Sequence, residues 1–292
     1  MSAYAVQVDG ASQTVASGTR TLSLLRNDPD PNTDFIVQEV VDAIGRPLSP
    51  LEEDWLDLLH CLHISDLVCH RGKNEDWHRD ITLALPLRDP VPFQPVLLVV
   101  QEVFGMMTFD RLQVELRKYA TVPPTRYPKN PRQTKPDAVA LLSGGLDSAC
   151  AAAQLAGQTQ RPLFVSSRSS SHVTAAQNAV MKRITQLRPT ADIVHFKSAP
   201  KHTHAVAPLP ASDLSQRSRT LLYVGVASLI ATAHSLGTVT IGENGIMAIN
   251  CPLTLGRAAG FSTRTAHPDV LRKMADLFGR VFQKASASTT PS

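Results

Sequence analysis

The sequence is poor in cysteine and lacks long apolar runs, and each shortage argues against a class of protein. Four cysteines occur among 292 residues, at positions 61, 69, 150 and 251, and no two of them form a C-x-x-C pair. A disulfide framework or a standard zinc pattern is therefore not indicated. No apolar run reaches the length of a membrane span, and no basic stretch with an apolar core opens the chain. We expect a cytoplasmic protein without membrane contact.

A strong net charge and the common nucleotide-binding motifs are also missing. The formal charge is only +4, which suits an anionic ligand but does not by itself indicate nucleic-acid binding. A Walker A loop requires a lysine followed by Ser or Thr after its last glycine, and a dinucleotide fingerprint requires G-x-G-x-x-G. The sequence has neither pattern.

What the sequence does contain is the hexapeptide Ser-Gly-Gly-Leu-Asp-Ser at 143–148, directly after the apolar run 138–142. This pattern predicts a buried strand, a tight glycine turn and a helix of small residues. Such a turn brings backbone N–H groups and the positive end of the helix dipole to one place, which favours a bound phosphate. Ser143 and Ser148 add hydroxyl groups, and Asp147 is a candidate Mg²⁺ ligand. The alternative is an ordinary strand-to-helix turn.

The C-terminal half predicts an α/β fold, with a parallel sheet covered by helices on both faces. Strand patterns (138–142, 162–166, 192–196 and 238–241) alternate with helix patterns (148–156, 173–187, 220–236 and 268–282). Because ligands of such sheets bind at the carboxyl ends of the strands, the hexapeptide, Arg168 and the turn at Glu243 are expected at one edge.

The N-terminal part is predicted to be a small α+β accessory domain, residues 1–120, joined by a Pro-rich linker, 121–136, to the domain 137–283. The tail, 284–292, is predicted to be disordered. In the accessory domain the patterns predict strands at 4–8, 80–85 and 96–100, and helices at 34–44, 51–68 and 109–119. The run from Trp77 to Asp80 is interpreted as a surface loop.

Two arginines, Arg217 and Arg219, stand at the start of the predicted helix 220–236. Cations are unfavourable at a helix N-terminus, so an anionic partner is expected there. ATP phosphates would supply it through the bidentate geometry of guanidinium; the alternatives are Asp213 or solvent. Arg168 is a candidate for contacting the nucleotide, or else a solvated loop residue.

A second group of polar residues follows the last predicted strand. Glu243 and Asn244 offer acceptors and a donor for a heterocycle, although Asn-Gly also favours a simple turn. Asn250 lies in the polar stretch downstream. Arg264, Thr265 and His267 suit a carboxylate or phosphate, or else the cap of the last helix.

Cysteine and histidine also cluster within 60–70, where Cys61 and Cys69 lie among His60, His63 and His70. Their spacing matches no standard zinc pattern, so core packing is expected over metal binding. Cys150, in the helix after the hexapeptide, is expected to be a small core residue.

The hexapeptide resembles the PP-loop of the ATP pyrophosphatase superfamily, whose pattern is SGGxDS. The resemblance implies that ATP is cleaved between its α and β phosphates. It also implies that the loop residues receive the pyrophosphate end of ATP: Ser143, Gly144, Gly145, Leu146, Asp147 and Ser148.

Within that superfamily the chain resembles the QueC-like (7-cyano-7-deazaguanine synthase-like) branch, and more closely the QueC-like component of Qat-type anti-phage systems. The likeness rests on Ser218-Arg219-Thr220, Gly242-Glu243-Asn244 and the stretches 250–253 and 262–268, and covers roughly residues 137–275. Two departures are that only Arg219 remains of the branch's Gly-Arg-Asn segment, and that the four-cysteine zinc cluster that usually ends the branch is absent.

The resemblance implies ATP and Mg²⁺ as cofactors, no zinc, and adenylation of a deazaguanine-type carboxylate. An amine of a partner protein from a defence operon would then displace AMP, forming an amide or conjugate. Nitrile formation is the less supported outcome because the cysteine cluster is missing. The alternative is a catalytically reduced subunit that binds nucleotide or partners. Thiolation of tRNA is disfavoured by the lack of a C-x-x-C pair.

Overall fold

The computed structural model describes residues 2–8, 20–22, 32–35, 37–71, 78–132, 135–196, 198–200, 217–243 and 266–288. Within these ranges the protein is α/β, with two parallel four-stranded sheets and helices packed against them. The predicted fold class is confirmed at that level.

The N-terminal sheet contains β1 (Ser2–Val8), β2 (Arg20–Leu22), β4 (Arg79–Leu87) and β5 (Arg111–Lys118), in the order β2-β1-β4-β5. Every pairing in this sheet is parallel. Helix α2 (Pro50–Val68) leads into β4, and α3 (Leu97–Thr108), preceded by a 3-10 turn (Val91–Val96), connects β4 to β5. This part of the chain is therefore α/β, and the α+β prediction is wrong.

The α+β prediction is wrong because it assigns one helix as a strand and the following strand as a helix. The apolar run at 96–100 predicts a strand but lies at the start of α3, because periodicity does not distinguish a buried strand from an apolar helix. The pattern at 109–119 predicts a helix, whereas Arg111–Lys118 forms a strand, most of whose residues alternate between buried and exposed. Exchanging the two produces a β-α-β unit, whose crossover helix makes the strands parallel.

The C-terminal sheet contains β6 (Ala138–Leu141), β7 (Pro162–Ser167), β8 (Asp192–Phe196) and β10 (Val239–Thr240). Its order is β10-β6-β7-β8, and all pairings are parallel. The chain passes from β6 through α4 (Leu146–Gln158), β7 and α5 (Ser171–Leu187) to β8. It then returns through α6 (Arg219–Ala233) to β10, on the other side of β6. The strand order thus reverses between β6 and β10, which is where open α/β sheets bind ligands.

Helices cover both faces of this sheet, as predicted. Ala140 and Phe164 pack with Ala152 of α4 and Met181 of α5 in a small apolar cluster. The alternate positions, such as Val139 and Leu163, point the other way into a large cluster that includes α6. That cluster extends to α2, α3, the N-terminal sheet and the last helix, α7 (Pro268–Ser288), so the two sheets share a continuous core.

Helix α2 is buried almost all round, because α6 lies on it as well as the N-terminal sheet. Ser49 and Glu52 form a capping box at its start, with Pro50 in the first turn. Trp55 donates a hydrogen bond to the Gly225 carbonyl of α6 at 3.1 Å. A Cβ on Gly225 would lie 2.5 Å from Leu59, so the glycine allows the two helices to approach this closely.

The Pro-rich segment predicted as a linker lies along α2 and α1 (Gln38–Ile44). Arg126 donates its backbone N–H and its guanidinium to Glu53, and the N–H groups of Lys129 and Asn130 reach Asp42. Two short strands form a separate antiparallel pair. One is β3 (Thr33–Phe35), which precedes α1, and the other is β9 (Ser198–Pro200), which follows β8. The predicted helix 34–44 is therefore correct only for α1.

Two observations concern the ends and the hydropathy of the chain. The last helix continues to Ser288, past the predicted end at 282 and into the segment predicted as a tail.

In the described part of the chain, Val91–Thr108 is long and apolar enough to cross a membrane by length and composition, with a mean hydropathy of 1.3 over 18 residues. It packs on β5 and α7, and core helices of soluble proteins have the same properties.

Candidate functional site

The loop between β6 and α4 has a compact internal geometry. Gly144 has φ +92°, a conformation that favours glycine, and a Cβ there would lie 3.2 Å from the Gln177 side chain. The Ser143 hydroxyl accepts from the Gly145 N–H at 3.3 Å and donates to the Ser148 hydroxyl at 3.0 Å. Ser148 in turn donates to the Gly145 carbonyl at 2.9 Å. The two serines thus hold the turn closed.

Helix α4 begins at this turn without a capping side chain. Gly145 is its N-cap, and no side chain caps the first turn in the described part of the chain. Its first-turn N–H groups are therefore available to an anion, and the helix dipole adds to the attraction. Leu146 is 79% exposed, and Asp147 is exposed beside it, whereas Ser148 is buried. The loop is therefore a candidate phosphate cradle, open to solvent at the point of strand reversal.

Gln177 of α5 braces the cradle, and the sequence analysis missed it. Its amide nitrogen donates to the Ser143 carbonyl at 3.2 Å and to the Ser167 carbonyl at 3.1 Å, which ties the ends of β6 and β7 together. The side chain is 1% exposed, and its Oε1 has no partner in the described structure. A polar residue on the apolar face of the 173–187 helix pattern was the signal.

Glu243, which follows β10, lies close enough to Asp147 for their charges to interact. Burial raises the pKa of the Glu243 carboxyl, and the negative charge of Asp147 raises it further. The preceding Gly242 packs directly on the start of α4, where a Cβ would lie 2.6 Å from the Ala151 side chain and 2.8 Å from the Asp147 carbonyl. The predicted substrate turn therefore meets the predicted phosphate loop.

Substitution of Gly242 by alanine is expected to reduce stability by about 1–3 kcal/mol, because the new methyl group collides with the α4 backbone. The matched control is Gly237→Ala in the same stretch, where a Cβ meets nothing within 4 Å. Urea unfolding of both variants measures the difference. Equal stability of the two variants would contradict the close packing of Gly242 on α4.

Tyr223 and Arg219 of α6 lie at the end of β7. The phenol of Tyr223 forms a hydrogen bond with the Ser167 side chain, and burial raises the pKa of the phenol despite that bond. The Arg219 guanidinium lies 5.9 Å from the centre of the Tyr223 ring. The structure thus places Arg219, an exposed cation, at the carboxyl edge of the sheet.

Arg168 comes directly after β7 and is half-exposed. Its Nε lies 3.3 Å from His195 Nδ1, and its guanidinium lies 3.8 Å from Glu39 of α1. Burial lowers the pKa of His195, and the nearby positive charge of Arg168 lowers it further. Arg168 thus has two protein partners beside its exposed part, and its contact with a nucleotide stays a prediction.

Arg217 lies elsewhere, at the C-terminal end of α3. Its guanidinium donates to the Thr108 carbonyl at 3.1 Å and lies 5.8 Å from the centre of the Phe109 ring. Burial lowers the pKa of Arg217, and the charge of Arg71 adds to this effect. The two arginines predicted to act together on ATP thus have different surroundings, and Arg219 is the one at the carboxyl edge.

A buried group of charges surrounds the start of α6. Arg79 and Asp80, predicted to lie in a surface loop, belong to β4, whereas Trp77 lies outside the described residues. Arg79 is completely buried and forms ion pairs with Asp66 at 2.6 Å and with Asp110 at 2.5 Å. Arg71 pairs with the same two carboxylates. Burial alone would raise the pKa of Asp66, but Arg79, the Ser218 N–H and Arg71 outweigh it and the pKa is lowered.

The remaining candidates have mixed outcomes. His267 caps α7, since its Nδ1 accepts from the Asp269 N–H at 3.2 Å, in agreement with the capping alternative. Asn244, Asn250, Arg264 and Thr265 lie outside the described residues. Cys61 and Cys69 are buried in the core, whereas Cys150 is exposed, so its core prediction is wrong. Among described residues, no group of three or more His, Cys, Asp or Glu is arranged to hold a metal.

Comparisons with protein-family models, with curated proteins and with solved structures gave no match to this chain. The resemblance to PP-loop enzymes therefore rests on the residues and on the geometry of this protein alone.

Proposed function

We propose that this protein is a PP-loop enzyme that uses ATP to adenylate a carboxylate of deazaguanine type, releasing pyrophosphate. One observation carries the proposal: the Ser143–Ser148 hexapeptide opens α4 at the point where the strand order of the C-terminal sheet reverses. An uncapped helix N-terminus at a switch point is the usual place for a phosphate in an open α/β sheet.

In this proposal the β and γ phosphates lie on the N–H groups at the start of α4, in the turn that Ser143 and Ser148 hold closed. A carboxylate oxygen of the substrate attacks the α phosphorus, forming an O–P bond while the bond to the pyrophosphate oxygen breaks. Charge develops on the leaving pyrophosphate, and Arg219 is the cation at this edge that would stabilise it. A partner amine then attacks the acyl carbon, and AMP leaves.

The residues present fit a Mg²⁺ ion. Asp147 and Glu243 are two carboxylates whose mutual repulsion contributes to the raised pKa of Glu243. Mg²⁺ is commonly held by one or two carboxylates together with substrate phosphates, so a larger protein cluster is not required. A bound Mg²⁺ would neutralise charge on the phosphates, and Asp147 would hold it.

The choice of substrate depends on the resemblance more than on the site. In this proposal Glu243 accepts from N–H donors of the heterocycle, and the other substrate candidates follow it in the chain. The same resemblance supports a role in anti-phage defence and a partner protein as the amine donor.

The test is ATP–pyrophosphate exchange with 7-carboxy-7-deazaguanine and Mg²⁺. Wild type is expected to exchange, and Asp147→Asn is expected to lose about a hundredfold in rate, since one donor or ligand removed from a phosphate site has effects of this size. The matched control is Asp276→Asn, an exposed acid of α7 paired with Arg280, which should retain the wild-type rate.

Three outcomes would contradict the proposal. No exchange in wild type, or full exchange in Asp147→Asn, would exclude catalysis by this loop with this substrate. Binding of ATP without exchange, accompanied by assembly with a partner protein, would favour the non-catalytic subunit instead.

A further inference from the structure

Helix α6 is capped by a residue of α2. Ser218 is the N-cap of α6, but its side chain caps no N–H group of that helix. Instead, Asp66 Oδ2 accepts from both the backbone N–H and the hydroxyl of Ser218, each at 2.9 Å. Asp66 is fully buried in the last turn of α2. A carboxylate therefore meets the positive end of the α6 dipole, which is favourable at this position.

Two further contacts fix this cap. His63 Nδ1 lies 3.0 Å from the Ser218 hydroxyl. Because that hydroxyl donates to Asp66, it accepts from His63, and the proton of the neutral imidazole is on Nδ1. The other oxygen of Asp66 is held by Arg79 at 2.6 Å. The first turn of α6 is thus bound to a buried part of the N-terminal half.

The same turn carries the α6 residues of the candidate site. Arg219 follows Ser218 directly, and Tyr223 comes one turn later with its phenol on the Ser167 side chain. The Gln177 amide nitrogen donates to two carbonyls, that of Ser167 and that of Ser143 in the phosphate loop. A shift of the α6 start would therefore move Arg219 and Tyr223 relative to that loop.

We propose that Asp66 is a positioning residue for the adenylation site: by capping α6 from α2, it places Arg219 for the reaction. The inference rests on the proposed function and extends it, because it makes the N-terminal half of the chain a required part of the site. Asp66 itself touches neither ATP nor substrate.

The experiment compares Asp66→Asn with Asp54→Asn. Asp54 is a matched control, since it is an equally buried acid of α2 that also accepts two backbone N–H bonds, from Arg88 and Asp89 at 2.9 Å each. Its hydrogen bonds in the described structure go to the turn after β4 and not to α6. Both variants are assayed for ATP–pyrophosphate exchange at a temperature where urea unfolding shows them to be folded.

For Asp66→Asn we expect kcat of exchange to fall about tenfold or more, while KM for ATP changes less than about threefold, because a misplaced Arg219 affects the transfer more than binding. Asp54→Asn should keep kcat within about twofold. Equal kcat per folded molecule in the two variants would overturn the inference and leave Asp66 with a structural role only.

A double-variant comparison asks whether Asp66 acts through Arg219. If it does, Asp66→Asn combined with Arg219→Ala is no slower than Arg219→Ala alone; independent roles would give additive losses and would overturn the inference. Should Asp66→Asn fail to fold, Ser218→Ala removes only the hydroxyl, and Ser218→Thr, which keeps it, should restore kcat. An unchanged kcat in Ser218→Ala would then count against the cap.

Amide hydrogen exchange separates failure of this inference from failure of the proposed function. If wild type shows no exchange of pyrophosphate, the adenylation proposal is withdrawn, and the amides of residues 219–223 still report on the cap. Faster exchange there in Asp66→Asn but not in Asp54→Asn supports positioning of α6 by Asp66. Equal protection in both variants overturns it.

Discussion

Replacement of Arg79 by methionine is expected to destabilise the protein by about 3–5 kcal/mol, the usual cost of removing one partner from a buried ion pair. Methionine keeps the unbranched apolar stem but leaves Asp66 and Asp110 buried together, with Arg71 as the cation that pairs with both. Arg79 also donates to the carbonyls of Asp66 and Cys69, and these acceptors lose their donor in the variant. Urea unfolding at pH 7 measures the loss.

The control is Arg111→Met, at the start of the neighbouring strand. Arg111 is 78% exposed and lies 3.9 Å from Asp80, a surface pair for which a change of about 0–1 kcal/mol is expected. Arg79→Met should also recover part of its stability on acidification, because a proton on Asp66 relieves the repulsion that Arg79 normally cancels. A loss under about 1 kcal/mol for Arg79→Met would contradict the strength of this charge group.

The stability of the protein is expected to fall by about 3 kcal/mol through His63 as the pH decreases from 6.5 to 4. Burial lowers the pKa of His63 to about 4; Asp66 acts in the opposite direction, and the charge of Arg219 lowers it further. Between pH 6.5 and 4 the unfolded chain binds a proton at this histidine that the folded protein does not. Acid therefore favours unfolding between pH 6.5 and 4. Above pH 6.5 the stabilising contribution of neutral His63 is fully present.

The variant His63→Asn isolates this effect, since its amide retains a donor towards Ser218 and does not titrate. Urea unfolding of both proteins from pH 7.5 to 4 should show the wild-type advantage shrinking by about 3 kcal/mol on acidification. Carboxylates that titrate in this range affect both proteins and cancel in the difference. Parallel stability curves would show that His63 is not held neutral by its surroundings.

The part of the candidate site that forms from residues close together in the sequence was predictable. The six residues of the hexapeptide form their own turn, through Ser143, Gly145 and Ser148, so the short pattern was sufficient to indicate a phosphate cradle. The meeting of Glu243 with this loop was also predictable, because the carboxyl ends of parallel strands lie at one edge. The different surroundings of Arg217 and Arg219 were not predictable from sequence. Both residues stand at the start of one helix, but their side chains contact different parts of the fold.

The N-terminal half shows why local patterns can fail. An apolar run such as 97–100 is compatible with a strand and with a helix. The structure shows that it begins a helix that extends to Thr108. Arg79 and Asp66 have the appearance of surface residues in sequence. Their burial becomes favourable only when α2, β4 and β5 bring opposite charges together, which no local pattern contains.

By itself, the sequence determined the α/β class of the C-terminal half, the order of its main strands and helices and the turn between β6 and α4. The physical reason is that hydrophobic periodicity and glycine turns act over a few residues. The tertiary structure alone decided the parallel arrangement of the N-terminal sheet, the brace by Gln177 and the capping of α6 by Asp66. These depend on contacts across 34 to 152 residues of chain, whose partners are selected by packing and by the cost of burying an unpaired charge.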